Sequence, residues 1–172
     1  MRPFQSCTAV AAALLAFLFS GAPAAAGEST AAQRQAADSA DIRQLFADYA
    51  RLMNDKDTDA IAGKIYDAPV IYHLPDGNHV GYNDQTSLAQ VWKRYIDAIE
   101  AKQGAVTLEI TDVAPCFLNQ NTAIVTTRSV RTVLKDNSTA LSGWLYVVNR
   151  KNGQWKISEI SARDLDKSLA CP

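Results

Sequence analysis

From Val106 to Ala162 the chain reads as four strand-length segments separated by short polar turns, and nothing else in the sequence constrains the fold as tightly. Val106–Leu118 alternates at its start, with Val106, Leu108 and Ile110 set against Thr107, Glu109 and Thr111, and Asn119-Gln-Asn121 then turns the chain. Thr122–Leu134, rich in Thr and Val, runs into a second turn at Lys135-Asp-Asn-Ser138. Thr139–Asn149 is followed by Arg150-Lys-Asn-Gly153, and Gln154–Ala162 closes the series. Parallel neighbours need crossovers of about a dozen residues or more, so turns this short require an antiparallel meander.

Ahead of the strands lie two amphipathic helical patterns. Ile42, Leu45, Phe46, Tyr49, Leu52 and Met53 share one face of a helix opening near Asp41, which Ser39 or Asp41 can cap and Asn54-Asp-Lys-Asp57 breaks. A short helix over about 58–66 follows, then a brief strand, Val70–Leu74, ended by Pro75-Asp-Gly-Asn78. Leu88, Val91, Trp92, Tyr95, Ile96 and Ile99 stripe a longer helix over about 84–101, ended by Gly104. Helices followed by a run of strands give an α+β class. A curved antiparallel sheet of four long strands plus a short one needs cover on one face, and these two to three helices are the cover available. A cone-shaped roll with an open mouth results.

The first 26 residues have another character. Arg2 supplies a positive start, Ala9–Phe19 an apolar centre, and Ser20–Ala26 ends in the small-x-small pattern read by signal peptidase. The apolar run is well short of the ~20 residues a spanning helix needs. Residues 1–26 are therefore expected to be a cleaved signal peptide that sends the protein to the periplasm or outside the cell. Residues 27–40 then form a flexible lead-in, 41–165 the domain and 166–172 a C-terminal tail. The formal net charge of −1 becomes −2 once Arg2 is lost, because residues 1–26 hold no acidic residue. So balanced a surface argues against nucleic acid or an anionic membrane as partner. Two cysteines survive cleavage, and outside the cytosol Cys116 and Cys171 are candidates for a disulfide tying the tail to the domain. No C-x-x-C pair, nucleotide-binding loop or serine nucleophile elbow is present, and His73 and His79 have no third metal ligand at suitable spacing. No metal or cofactor is expected.

The order helix, short helix, strand ending at a Pro/Gly turn, long helix, four-strand meander resembles the nuclear-transport-factor-2-like superfamily, which includes ketosteroid isomerase and the SnoaL-like polyketide cyclases. The resemblance covers about 41–163. Its marks are Tyr66-Asp-Ala-Pro-Val-Ile71, Gly81 ahead of the long helix, and Asn152-Gly-Gln-Trp-Lys-Ile157 opening the last strand. All are fold marks rather than catalytic motifs. In the isomerases a base lies at the end of the short strand, which implies a position near His73, and an acid on the first helix, which implies Tyr49. The meander aspartate of those enzymes has no acidic match, since Gly143-Trp-Leu-Tyr-Val147 is apolar.

The cone is expected to be lined by Tyr72, Trp92, Tyr95, Arg128 and Leu145. Arg128 and Arg131 sit an odd number of residues apart in one strand, so at most one looks inward. By the same rule Trp144 and Tyr146 share one face of their strand, and Leu141, Leu145 and Val147 the other. Three functions remain open. One is an exported binding domain for a small apolar or aromatic molecule. Another is a cofactor-independent isomerase, cyclase or lyase with His73 as general base and Tyr49 stabilising charge on oxygen. The last is a homodimeric interaction module paired through its sheet face.

Overall fold

The structure is a computed structural model that describes residues 30–165. The signal peptide, the C-terminal tail and Cys171 fall outside those residues. Helix α1 spans Ala31–Asp55 and buries Ile42, Leu45, Phe46, Tyr49 and Leu52 along one face. It starts ten residues earlier than the apolar pattern predicts, so residues 31–40 are helix and not a flexible lead-in. The cause is local. Thr30 and Gln33 form a reciprocal capping box, with Gln33 N donating to Thr30 Oγ1 at 3.2 Å and Thr30 N to Gln33 Oε1 at 2.7 Å. The Ala- and Gln-rich turns that follow have high helix propensity and need no buried face. Further along, Asp38 pairs with Arg150, whose guanidinium lies 4.6 Å over the Trp155 ring.

Lys56, left-handed at φ 58, stops α1. The expected short helix becomes α2, Thr58–Ala60, and a π-helical turn, Ile61–Ile65, which buries Ile61, Ala62 and Ile65. Strand β1 then runs Tyr66–His73 and β2 runs His79–Tyr82. They form an antiparallel hairpin with His73 opposite His79. The sequence reading missed β2, because His-Val-Gly-Tyr is too short and too exposed to show an alternating pattern. Helix α3, Gln85–Gln103, is capped by Asp84, whose Oδ1 accepts from Ser87 N at 2.8 Å, and ends at Gly104 with φ 86.

Strands β3 (Val106–Asn119), β4 (Thr122–Val133), β5 (Thr139–Lys151) and β6 (Gln154–Arg163) form the antiparallel meander the turns require. The full sheet has the order β2-β1-β6-β5-β4-β3. It is mixed rather than wholly antiparallel, since β1 lies parallel to β6, with Tyr72 opposite Ile160. The intervening helix and four strands supply the long crossover that a parallel pair demands. A bulge between Thr111 and Ala114, where Asp112 takes φ 52, bends β3 and helps to curve the sheet. The α-helices fill the concave side, where Phe46 meets Tyr146 edge-on at 4.8 Å. At the closed end Phe117 and Trp155 pack at 6.0 Å. Among the described residues no helix is long and apolar enough to cross a membrane.

Candidate functional site

Toward the other end, α1 and α3 diverge from the sheet and leave a cavity of about 320 Å³. Aromatic rings form much of its wall: Tyr49 from α1, Trp92 and Tyr95 from α3, Tyr72 from β1, and Trp144 and Tyr146 from β5. Trp92 is the centre of this cluster. Its ring stands 5.8 Å from Tyr49, 5.5 Å from Tyr95 and 5.7 Å from Tyr66, which backs the wall. Across the cavity Tyr72 and Trp144 lie 6.2 Å apart. Val80 and Tyr95, exposed to 39 % and 43 %, mark the mouth.

Polar groups are few, and most are already engaged. Asn54 clips the end of α1 to β3, donating to Leu108 O at 3.0 Å and accepting from Leu108 N at 2.7 Å. Lys56 and Glu100 close an ion pair of 2.7 Å between α1 and α3. On the sheet floor Ser129 and Ser142 hydroxyls lie 3.0 Å apart, and the Trp144 indole donates to Ser129 at 3.1 Å. The buried side-chain donors without a hydrogen-bond partner among the described residues include Trp92 Nε1 and Arg131 Nε. Both residues line the cavity.

Burial pushes the phenols of Tyr49 and Tyr66 well above their ordinary range, and neighbouring phenols add to the effect. Burial also raises Tyr146 and, less completely covered, Tyr72. These tyrosines are therefore neutral at physiological pH.

The structure brings together Tyr49, Tyr72, Trp92 and Tyr95. It does not place His73, Arg128 or Leu145 with them. His73 Nε2 lies 3.1 Å from Glu159 Oε2, with its ring 6.5 Å from that of His79, on the convex side of the sheet. Arg128 pairs with Asp112 at 3.5 Å, and Arg131 is the arginine that faces the cavity. Leu145, opposite Ser161 on β6, shares the convex side, while Trp144 and Tyr146 face inward. A single physical fact explains all three corrections. His73 is level with Ser161, Ser161 with Leu145, and Arg128 with Gly143, two residues from Leu145 on the same face of β5. The face chosen for one therefore fixes the face for all three. Cys116 is disulfide-bonded.

This geometry can be compared with known proteins. The sequence profile of the NTF2-like protein family DUF6841 matches residues 38–165. The chain belongs to that family. A protein of unknown function from Mycobacterium tuberculosis has the same fold, with a TM-score of 0.63 at 18 % identity over 80 % of this chain and 77 % of its own. An NTF2-like protein with a cystatin-like fold from Novosphingobium aromaticivorans gives a TM-score of 0.62 at 18 % identity, over 80 % of this chain and 88 % of its own. From the same organism, a protein provisionally assigned as a scytalone dehydratase gives 0.59 at 13 % identity, over 81 % and 94 % of the two chains. No curated protein matches the sequence. At these identities the NTF2-like likeness extends to the α+β fold with its curved, unclosed six-stranded sheet.

Proposed function

We propose that this NTF2-like domain is exported, freed of its signal near Ala26, and holds a small apolar or aromatic molecule in its cone. The observation that carries the reading is a cavity of about 320 Å³ walled by Tyr49, Tyr72, Trp92 and Trp144, in which the buried Trp92 N–H has no partner among the described residues. Protein interiors are otherwise close-packed, and sites for small molecules run from about 300 to 1,000 Å³ with a few polar groups in an apolar wall. Flat rings suit such a wall, because edge-on and offset contacts are available on several sides.

Binding is favoured over catalysis by what the cone lacks. Its carboxylate, Glu100, is held by Lys56, and its phenols stay protonated. Both histidines lie on the other face of the sheet. A dehydratase-like activity, as the name of one structural neighbour would have it, needs a proton acceptor, and the carboxylate in the lining, Glu100, is paired with Lys56. The convex face, where Leu141 is 62 % exposed near Leu145 and Val147, pairs the domain with a second copy. Thermal-shift measurement against a panel of flat aromatic molecules tests the binding reading. It predicts a raised Tm with some members of the panel, and a flat response to all of them would sink it.

A further inference from the structure

Arg131 stands apart from the other charges of the cone. The sheet positions beside it are Leu108 on β3 and Ala140 on β5, neither of which can accept a hydrogen bond through its side chain. Its Nε is buried without a partner, and Arg131 joins no ion pair among the described residues. The nearby charges are spoken for or displaced. Lys56 and Glu100 hold each other, and Asp136, in the shallow cleft that Arg131 also borders, accepts from the hydroxyl and backbone N–H of Ser138 at 2.6 and 3.0 Å. A partly buried guanidinium without a counter-charge is unfavourable unless something else supplies one. Two residues back on the same face of β4 is Ser129, joined to Ser142 across the strands. A cation and a hydroxyl pair therefore sit side by side on the floor of a mostly apolar cavity.

We propose that the cone selects an aromatic molecule carrying one carboxylate, with Arg131 as the residue that reads the charge. The proposal rests on the binding reading above and adds the chemical class of its ligand. The ring lies against Trp92 and Tyr72. The carboxylate accepts from the guanidinium fork, whose planar geometry matches it, and from a serine hydroxyl beside it. Recognition by a charged hydrogen bond in a site shielded from water discriminates strongly against a neutral analogue, whose binding leaves the guanidinium unpaired.

The test is calorimetric titration of the protein at pH 7 with 2-naphthoate and with neutral 2-naphthalenemethanol, which share the ring system. Wild-type protein is expected to bind the acid about tenfold tighter or more. Arg131→Gln is expected to lose that preference while its affinity for the alcohol stays within about twofold, and Arg131→Lys, which keeps the charge but not the fork, to retain part of it. Equal affinities in the wild type, tighter binding of the alcohol, or an undiminished preference in Arg131→Gln would overturn the inference and leave the binding reading standing. Failure of both molecules to bind would overturn both. Should Arg131→Gln not fold, the wild-type ratio and the Arg131→Lys ratio decide the matter alone.

Discussion

His73 and Tyr72 are chain neighbours on opposite faces of one sheet: Tyr72 meets Trp144 inside the cone at 6.2 Å, while His73 meets Glu159 outside it at 3.1 Å. That one-residue phase separates a wall residue from a surface contact between an imidazole and a carboxylate. It implies that the histidine is dispensable for anything the cone does. His73→Ala should leave 2-naphthoate affinity within about twofold and change stability by less than about 1 kcal/mol, as expected for an exposed pair. Titration calorimetry and urea unfolding check both. A large loss of affinity with unchanged stability would show that the outer face takes part in binding.

The unpartnered Trp92 N–H gives an asymmetric expectation. Trp92→Phe keeps a ring in the wall and removes a buried donor that the empty protein leaves unsatisfied. Stability without ligand should fall by no more than about 1–2 kcal/mol, the size of a modest core change, because no hydrogen bond is lost. Affinity for a ligand that accepts from this indole should fall several-fold. A drop in stability above about 3 kcal/mol would show that the wall around Trp92 depends on the whole indole for its packing.

The buried phenols predict a specific pH response. Folded-state pKa values raised above the ordinary tyrosine range mean that the fold favours the neutral phenol. Their contribution to stability is complete below about pH 10 and is lost as the pH climbs above it. Urea midpoints should hold steady through neutral pH and decline above about pH 10. The decline should be shallower in Tyr49→Phe, which isolates the phenol from the lysines titrating in the same range. An identical slope in wild type and Tyr49→Phe would contradict this account of Tyr49.

The Asp38–Arg150 pair joins the first turns of α1 to β5, with the side chains 16 % and 27 % exposed. Asp38→Ala leaves Arg150 partly buried without its carboxylate and should cost about 1–3 kcal/mol. The corresponding Thr30→Ala change, which removes only an exposed cap, should cost about 1 kcal/mol or less. Measured by urea unfolding, an Asp38→Ala cost below that of Thr30→Ala would mean that residues 31–40 are not anchored to the domain.

Dimerisation is the remaining expectation. Light scattering at micromolar concentration should give twice the chain mass, and Leu145→Glu on the convex face should return the monomer. A monomeric mass for the wild type contradicts the pairing.

The sequence made the architecture legible because its strongest signals are periodic. Leu88, Val91, Trp92 and Ile96 define α3, and three short turns allow the meander no other pairing. The alternation of β4 and β5 likewise told which residues share a face: Arg128 opposes Arg131, and Leu145 opposes Trp144. What alternation cannot tell is which of the two faces is concave. β5 is apolar on both sides, so hydrophobicity was silent, and the wrong face was chosen for Arg128 and Leu145. For β1 the expectation included both Tyr72 and His73, although period two forbids adjacent strand residues from lining one cavity. Linking the strands would have helped. With Tyr72 taken as an inner residue, the register carries that choice through Ile160 to Tyr146 and on to Val125. Since Arg131 stands an even number of residues from Val125, it then falls inside. The β2 strand and the extended start of α1 were hidden for the opposite reason: neither buries an apolar face that would print a pattern.

The central claim, that the cone exists to hold a small molecule, is most directly tested by native mass spectrometry of protein purified from its own host and again after incubation with 2-naphthoate. The account predicts a non-covalent complex in at least the second spectrum, with added mass on the order of one to a few hundred daltons, the size that fits such a cavity. The bare polypeptide mass in both spectra would contradict it.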